Sequence, residues 1–395
     1  MTAIRDVLVV GGGLVGASAA LGIAASGRSV TLVDRTRPEE SAGRFGMDIR
    51  NIACSPASRS FLESLGVWSE LVGAPYVRMS VWEERGTAEL TFDAAEVGRA
   101  ELGWILENGP TVAALWRRLD AAPEVEVVVG AIDAVQACAG SARVRVDGRM
   151  LEGRLLVGVD GARSAVREQL GVGVQTLATG QRALATIVRT EAGHQGVAYQ
   201  RFLLDGPLAL LPSRVPDLSS VVWSQSPESA GRRQALDEAA FCAELTAATE
   251  SRLGRVLACD ARLSFPLAQH VVADFSPLPR VLLIGDAARV LHPLAGLGAN
   301  VGFEDARDVL SVLDRLPRGA DPGTPGIWRP FARRRAIRAR MMVAAMSAFR
   351  QGYAGAGPLE TWARNRAVGW VDHTPLVKQQ IIREALGLGP LATGL

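Results

Sequence analysis

The pattern of apolar and polar positions opens with two strand-like segments separated by a glycine-rich turn and a helix. Residues 6–10 and 29–34 are apolar runs typical of buried strands, and residues 17–26 are small and apolar, as in a packed helix. Glycines at positions 11, 12, 13 and 16 join the first strand to the helix. The order strand, turn, helix, strand predicts a βαβ unit at the start of the chain.

Further strand-like runs fall into two groups along the chain. A first group has the pattern of short strands, and a second group lies in the strand-rich stretch 183–224. The isolated apolar run 281–284 has the character of a buried parallel strand. The pattern after residue 302 is mainly helical. These features predict an α/β fold in which a separate β-rich layer is inserted into a nucleotide-binding domain. The runs are 125–129, 144–146 and 155–159 in the first group, and 185–189, 198–203 and 218–223 in the second.

Composition excludes several classes of function. The chain has 395 residues, 48% of them hydrophobic, and a formal net charge of +2, so no overall basic field points to nucleic acid. The four cysteines lie far apart without a CxxC pair, which favours neither a metal site nor a disulfide framework. We expect reduced, mostly buried thiols.

The first 25 residues could pass for a signal peptide, because Arg5 precedes a stretch of small and apolar residues. Three consecutive glycines interrupt that stretch where a nucleotide-binding turn needs them. No other apolar run approaches the ~20 residues of a membrane span. We therefore expect a cytoplasmic protein, with a peripheral position at the inner face of the membrane left open, and an oligomeric state that the sequence does not indicate.

The glycine turn has the spacing of a dinucleotide site. Gly11, Gly13 and Gly16 form a GxGxxG motif between strand and helix, and Asp34 ends the next strand. Such glycines allow close approach of a pyrophosphate to the helix N-terminus, and the acid accepts hydrogen bonds from a ribose. The motif by itself does not separate FAD from NAD.

Two further motifs follow apolar strands. Residues 160–167 read Asp-Gly-Ala-Arg-Ser-Ala-Val-Arg, and by itself Asp160-Gly161 is an ordinary turn sequence. Residues 285–288 read Gly-Asp-Ala-Ala, and residues 292–300 then form a glycine-broken loop that opens a helix. The three motifs, in this order and at this spacing, resemble the FAD monooxygenases typified by para-hydroxybenzoate hydroxylase.

Within that group the chain most resembles the ubiquinone-biosynthesis hydroxylases. The similarity covers both predicted domains and most of the chain. It is carried by residues 48–50, 53–55, 58–59, 65–68, 107–108, 200–202, 206–212 and 221–223.

The resemblance implies a domain organisation and an α/β fold with a Rossmann-like FAD-binding domain. Residues 1–72, 101–176 and 275–322 would form the FAD-binding domain. Residues 73–100 and 177–274 would form the inserted substrate-binding β-sheet domain, and residues 323–395 a C-terminal helical region.

The resemblance also assigns roles to single residues. The glycine turn would hold the FAD pyrophosphate, Asp34 the adenosine ribose and Asp286 the ribityl chain or pyrophosphate, with Arg50 near the phosphates or flavin. The loop before the last helix would pass along the flavin, where a helix N-terminus stabilises the anionic reduced ring. The remaining expected residues are Asp160, Gly161, Leu297, Gly298, Ala299 and Asn300 for FAD, Arg163 for the nicotinamide nucleotide, and Pro293, Gly296, Gly298 and His292 at the reacting centre.

Departures from the family fall in the flavin-facing segment. Many relatives carry glutamine at Leu297, a bulkier residue at Ala299 and histidine at Arg289. The glycines are retained, so FAD binding is expected while substrate geometry is in doubt. His292 is open to two interpretations, a proton relay or a buried histidine satisfied by backbone.

The resemblance implies a hydroxylase in which NAD(P)H reduces FAD and O₂ supplies the oxygen transferred to an aromatic ring. Two rivals remain: a flavin reductase, dehydrogenase or halogenase on the same fold, and an accessory protein that keeps FAD as a structural element. Residues 223–226 contain no WxWxIP-like halogenase motif.

The expected substrate is a polyprenylated phenol of ubiquinone biosynthesis. Leu210 and Pro212 belong to an apolar strand that would wall the pocket opposite Leu294 and Leu297; the alternative is that these leucines form the interdomain core. A small acid would need an arginine clamp, whereas an isoprenoid tail needs only apolar surface. Residues 376–386, with Leu376, Ile381, Ile382 and Leu386 at helical spacing, could add an amphipathic membrane contact. The arginines at 333, 334, 335, 338 and 340 could face an anionic surface or simply be solvated.

Overall fold

A computed structural model of the chain describes residues 4–39, 42–85, 89–291, 296–324, 326–354 and 374–389. Its first sheet forms the nucleotide-binding layer, with the described strands in the order β8-β2-β1-β11-β10-β9 and β18 beside β11. The strands are β1 (Arg5–Val10), β2 (Val30–Asp34), β8 (Val125–Val129), β9 (Ile132–Ala137), β10 (Ala142–Val146), β11 (Arg149–Gly158) and β18 (Val281–Leu283). The predicted βαβ unit is confirmed as β1, the helix α1 (Leu14–Ala25) and β2.

The central strands of this sheet are parallel and buried on both faces. Val7 to Val10 of β1 are at most 1% exposed, and β1 pairs in parallel with β2 on one side and β11 on the other. Strand order therefore reverses at β1, which places a crevice at the carboxyl ends of β1 and β11. Strand β18 also pairs with β11 in parallel. All three sequence motifs consequently leave the sheet at the same edge.

The second sheet is the predicted β-rich layer, and most of its strands are antiparallel. The described order is β19-β17-β12-β15-β14-β13-β5-β6, with β16 beside β12. Strand β12 begins before the expected domain boundary at residue 177, so this boundary lies within a continuous strand. The strands are β5 (Arg78–Glu83), β6 (Glu89–Asp93), β12 (Val174–Thr190), β13 (Val197–Leu203), β14 (Gly206–Pro212), β15 (Leu218–Gln225), β16 (Val256–Cys259), β17 (Leu263–Val272) and β19 (Arg289–Val290).

A small third sheet joins the two layers. It contains β3 (Asn51–Cys54), β7 (Gly103–Glu107) and β4 (Gly73–Tyr76) in that order. Helices cover the sheets on their outer sides: α2 (Pro56–Ser64), α3 (Asn108–Ala121), α4 (Ala165–Gln169), α5 (Pro227–Ala235), α6 (Glu238–Ala248), α7 (Leu297–Asp314), α8 (Arg329–Ala354) and α9 (Pro375–Ala385). Among the described residues, no helix is both long enough and apolar enough to cross a bilayer.

The helix α9 docks on the β-rich layer. Ile382 and Leu386 are 3% and 4% exposed and pack with Ala94 and Leu102. Lys378 forms a salt bridge of 3.0 Å with Glu96. The apolar face expected to contact a membrane is therefore used inside the protein, and that prediction for residues 376–386 is wrong for Ile382 and Leu386.

Candidate functional site

The three glycines of the first motif are required for different reasons. Gly11 has φ +110°, and a Cβ atom there would lie 2.4 Å from the carbonyl oxygen of Val159. A Cβ atom on Gly16 would lie 1.8 Å from the carbonyl oxygen of Gly11. Both positions exclude a side chain because the turn packs against the protein itself. Gly13, in contrast, has no atom within 4 Å of its would-be Cβ, so it leaves open space at the N-terminus of α1.

That open N-terminus suits an anionic group. Gly13 precedes the first turn of α1, whose free N–H groups carry the positive end of the helix dipole. The Asp34 carboxylate stands beside the turn and accepts a hydrogen bond from the Gly12 N–H. Trp116 of α3 stabilises the same turn by donating a hydrogen bond from Nε1 to the Gly12 carbonyl oxygen at 2.7 Å. The contribution of Trp116 was not visible in the sequence, because its partner lies 104 residues away.

The second motif directly contacts the first. A Cβ atom on Gly11 would also lie 2.7 Å from the Asp160 Cα, so the two turns are in van der Waals contact. Asp160 accepts from the Val166 N–H through Oδ2 at 3.1 Å, while its buried Oδ1 has no partner among the described residues. Gly161 has φ +84° and open space around it. The motif therefore offers a buried acceptor and an accessible backbone at the crevice.

The expected nucleotide residue Arg163 is exposed on this turn. Its neighbour Arg167 instead reaches across the crevice edge, where it donates to the Ala287 carbonyl oxygen at 2.8 Å. This bond ties the second motif to the third, and the sequence did not indicate it.

The third motif is a tight turn after β18. Gly285 has φ +57° and starts a short 3₁₀ turn, Gly285–Ala287, in which Asp286 is exposed. His270 Nε2 lies 3.0 Å from the Asp286 carbonyl oxygen, which fixes the backbone from the side of β17. The surrounding protein raises the pKa of Asp286 through loss of hydration, while Arg289 opposes this shift. Asp286 is thus an accessible acid in a weakly hydrated site.

A buried ionic cluster supports this turn from behind. Asp305 of α7 is fully buried and accepts hydrogen bonds from the Gly285 N–H at 2.9 Å, from Arg289 at 2.7 Å and from Arg335 of α8. Burial lowers the pKa of Arg289. For Arg335, burial also acts to lower the pKa, but Asp305 and Glu304 outweigh it and the pKa is raised. Arg289, one of the departures from the family, therefore has an ionic partner within the fold.

The helix α7 carries the last part of the predicted flavin loop. Gly296, with φ +61°, caps α7 and packs close to Ala53. The Asn300 side chain accepts from the Ser55 N–H at 2.9 Å and donates to the Ala53 carbonyl oxygen at 2.7 Å. Its side chain is therefore committed to joining α7 to β3, which leaves its backbone as the part that could face a cofactor.

Gly298 has open space where a Cβ atom would be, and Ala299 is partly exposed. The predictions for His292, Pro293 and Leu294, and for the side chain of Leu297, fall outside the residues whose structure is described.

Arg50 lies at the junction between the nucleotide-binding layer and the β-rich layer. Its guanidinium is 58% exposed and 3.5 Å from the Asp48 carboxylate. Asp48 is buried and also accepts hydrogen bonds from the backbone of Arg50 and Gly109. The acid therefore fixes the loop that presents Arg50, while the cation stays accessible.

One face of the β-rich layer, which carries Ser220 of β15, lies toward this junction. Asn51 donates from Nδ2 to the Ser220 hydroxyl at 3.2 Å, so the face of β15 that carries Ser220 looks toward β3. Leu211 pairs with Ser220 and lies on the same face. Leu210 lies on the opposite face, where it packs with Trp223 and α6 in the domain core. The expected pocket residue Leu210 is therefore a core residue, and Pro212, two positions along, shares its side of the strand.

The glycine turns, the unpartnered Asp160 oxygen and the accessible Asp286 together fit an FAD molecule lying across the crevice. Gly13, Gly161 and Gly298 are all positions where the backbone is open to a ligand. A Cβ atom on Gly285 would lie 3.5 Å from the side chains of both Val15 and Val159, so the third motif lies next to the first two.

Comparison with known proteins supports FAD as the cofactor. Residues 5–343 match the FAD binding domain family. The chain is 33% identical over 392 residues to the 3-demethoxyubiquinol 3-hydroxylase of Escherichia coli, covering 97% of this chain and 98% of that protein. It is 32% identical over 404 residues to the ubiquinone hydroxylase UbiL of Rhodospirillum rubrum, covering 98% and 91%.

Solved structures show the same fold at lower identity. The p-nitrophenol 4-monooxygenase PnpA of Pseudomonas putida superposes with a TM-score of 0.76 at 20% identity, covering 98% of this chain and 99% of that one. HpxO of Klebsiella pneumoniae, solved with FAD and uric acid, has a TM-score of 0.72 at 20% identity, covering 98% and 97%. The chain belongs to the family of FAD-dependent monooxygenases that includes the ubiquinone hydroxylases, and FAD is its cofactor.

Proposed function

We propose that this enzyme hydroxylates the aromatic ring of a polyprenylated phenol in ubiquinone biosynthesis, using NAD(P)H and O₂. The similarity to ubiquinone hydroxylases over nearly the whole length of both chains supports the reaction class. The face of the β-rich layer that looks toward the FAD-binding layer supports the substrate class.

The central row of that face carries the proposal. Pairing aligns Ala185, Val222, Ala209 and Gln200 across β12, β15, β14 and β13. Side chains directly opposite each other in a sheet share a face, so these four look toward the FAD-binding layer with Ser220 and Leu211. The row contains no charged residue. A substrate carboxylate would therefore meet no cation there, and burying it would be costly.

The same face continues into apolar side chains at the side of β17. Leu263 pairs with Ala185, and Phe265 pairs with Ala183. Both are 43% exposed, which is unusual for large apolar residues on one face of a strand. An isoprenoid tail lying along them would gain about 0.8 kcal/mol for each CH₂ removed from water.

Gln200 is the polar member of the row. It is 6% exposed, and its side chain has no hydrogen-bond partner among the described residues. Its amide could donate to or accept from a phenolic hydroxyl in a pocket that is otherwise apolar. We assign Gln200 as the residue that orients the ring.

The bound FAD supplies the redox chemistry, taking electrons from NAD(P)H and activating O₂. The residues of the chain would bind the FAD, exclude water from the site and orient the aromatic ring of the substrate. Gly13 and the α1 N-terminus would receive the pyrophosphate, and Asp286 would receive hydroxyl groups near the flavin half. Arg163, exposed beside the crevice, would bind a phosphate of NAD(P)H while this nucleotide is transiently bound.

The test compares two phenols that share one ring, with and without a short prenyl chain. NAD(P)H oxidation and the mass of the product are measured with purified, FAD-loaded enzyme. Neither phenol carries a carboxylate. We expect the enzyme to hydroxylate both, with a lower KM for the prenylated phenol. Efficient hydroxylation of free hydroxybenzoate, with no gain from the prenyl chain, would refute the substrate assignment.

Variants locate the tail and the ring separately. Phe265→Gln should raise KM for the prenylated phenol and leave KM for the phenol without a prenyl chain unchanged. Leu257→Gln is the matched control, because Leu257 is a large apolar residue on β16 that is 50% exposed, compared with 43% for Phe265. Gln200→Leu should instead reduce the yield of hydroxylated product per NAD(P)H for both phenols, whereas the exposed Gln234→Leu should not.

A further inference from the structure

The helix α8 has an unusual charge composition. Its 26 residues include seven arginines and no aspartate or glutamate. The whole chain is nearly balanced, with 43 basic and 41 acidic residues, so this helix is a local concentration of positive charge.

Four of the described arginines of α8 fall into two groups with different surroundings. Arg335 and Arg338 point inward and form ion pairs with Glu304, and Arg335 also pairs with Asp305. Arg329 and Arg333 are exposed and have no side-chain partner among the described residues. The inward pair holds the helix in place, and the outward group is available to another molecule.

Two large apolar side chains lie among the outward arginines. Ile337 and Met341 are 51% and 48% exposed. At about 100° per residue, Arg329, Arg333, Ile337, Arg340 and Met341 occupy an arc of roughly 120° on one side of the helix. We call these five residues the α8 face. It extends over roughly 18 Å of helix at 1.5 Å per residue.

A groove runs beside the α8 face. It has a volume of about 540 Å³ and lies between α8 and the segment of residues 273–280. Leu278, Ala332 and Ala336 contribute apolar surface to it, and Arg329, Arg333 and Arg340 also line it. The acid in its lining is Asp274, whose carboxylate accepts the Ser276 N–H at 2.8 Å. The groove therefore combines apolar surface with an excess of positive charge.

We propose that the α8 face docks the enzyme on the surface of a bilayer that contains anionic phospholipids. A helix lying in the membrane interface presents apolar side chains to the acyl boundary and arginines to the phosphate groups. Ile337 and Met341 meet the first requirement, and the three arginines meet the second. The absence of acids along α8 means that nothing on this helix opposes the attraction.

A bilayer fits these residues better than an acidic protein does. The face is a straight stripe along one helix, with its three arginines toward one side and Ile337 and Met341 toward the other, and it carries no hydrogen-bonding side chain besides the arginines. This inference goes beyond the proposed reaction and does not depend on it, since docking is set by the outer surface of α8 and catalysis by the crevice.

The experiment measures binding of the FAD-loaded enzyme to vesicles by co-sedimentation. One set of vesicles contains equal parts of phosphatidylglycerol and phosphatidylcholine, and the other contains phosphatidylcholine alone. We expect binding to the anionic vesicles, weakening with added salt because exposed charges are screened. Arg333→Gln should lower the partition coefficient about fivefold. Ile337→Gln should lower it several-fold without changing the salt dependence.

Two matched controls separate docking from general surface effects. Arg318→Gln removes an exposed arginine outside the α8 face, and Leu257→Gln removes an apolar side chain that is 50% exposed on β16. Both should bind like the unmodified enzyme. Turnover of a water-soluble phenol without vesicles should be the same in all four variants, which confirms that each is folded and active.

Several results would overturn the docking assignment. These are no binding to anionic vesicles, equal binding to both vesicle types, undiminished binding of the Arg333→Gln and Ile337→Gln variants, or equal losses in the controls. Capture of an acidic protein instead of vesicles by the α8 face would also overturn it. Failure of phenol turnover in the unmodified enzyme, with vesicle binding intact, would count against the proposed reaction and not against docking.

Discussion

Replacing Asp305 by asparagine tests whether the ionic cluster behind the Gly285 turn stabilises the protein. The carboxylate is fully buried and receives hydrogen bonds from Arg289, Arg335 and the Gly285 backbone. Asparagine keeps the shape and one acceptor oxygen. It removes the negative charge that compensates two buried guanidinium groups.

The expected loss of unfolding free energy follows from the burial of the ion pair. The Arg289 and Asp305 side chains are 2% and 0% exposed, so removing one partner leaves a charge that water cannot reach. Breaking such a pair costs about 3–5 kcal/mol of unfolding free energy. The exposed pair of Arg255 and Glu191, with side chains 74% and 50% exposed, is the comparison. Losing an exposed pair costs about 0.2–1 kcal/mol, so Glu191→Gln should be close to neutral.

The assay is equilibrium unfolding in urea, followed by fluorescence on FAD-free protein so that ligand binding does not add to stability. Asp305→Asn should lower the unfolding midpoint by about 1 M, since m-values in urea are a few kcal/mol per molar. Asp305→Asn combined with Arg289→Met should recover part of the loss, because the second change removes a stranded charge. A loss no larger than that of Glu191→Gln, or no recovery in the double variant, would refute the reasoning.

The remaining predictions concern the crevice. Asp286 has a raised pKa, so the folded protein binds its proton more tightly than the unfolded chain, and this group's contribution to stability falls as pH rises above the ordinary carboxylate range. FAD-free Asp286→Asn should therefore be more stable than the unmodified protein at neutral pH, with the difference disappearing at acidic pH in urea titrations; an unchanged difference across pH would contradict this. In gel filtration, Asp286→Ala should lose FAD more readily than Asp34→Ala, since Asp286 is expected at the flavin half; equal flavin occupancy in both variants and the unmodified enzyme would contradict the assignment. Arg163→Ala should raise KM for NAD(P)H and leave FAD content unchanged, as steady-state kinetics and absorbance would show; an unaltered KM would remove Arg163 from the nucleotide site.

Much of the nucleotide-binding layer could be predicted because its signals are local. The apolar run 281–284 and the glycines of the first turn are dictated by burial and by backbone freedom, which neighbouring residues determine. The strand at Val125–Val129 was predicted with its observed bounds. The Rossmann-like fold and the FAD cofactor followed from three such local motifs and from the family resemblance.

Side-chain partners could not be predicted, because they join residues far apart in the sequence. Trp116 contacts Gly12, Arg167 reaches Ala287, and Asp305 pairs with Arg289 and Arg335 only after α7 and α8 pack. The same distance explains the position of Leu210, since an apolar strand has two faces and only the packing of α6 decided which one became the core.

The sequence by itself therefore determined which segments form the crevice, because strand burial and glycine turns depend on near neighbours, and the family resemblance added FAD as the cofactor. The tertiary structure alone decided how the charged residues are used. Arg335 and Arg338 turned inward to meet acids of α7, while Arg329 and Arg333 remained on the surface. It also decided that Ile382 and Leu386 pack inside the protein. The physical reason is that the environment of a charge or an apolar face is set by what packs against it, and that partner is chosen by the whole fold.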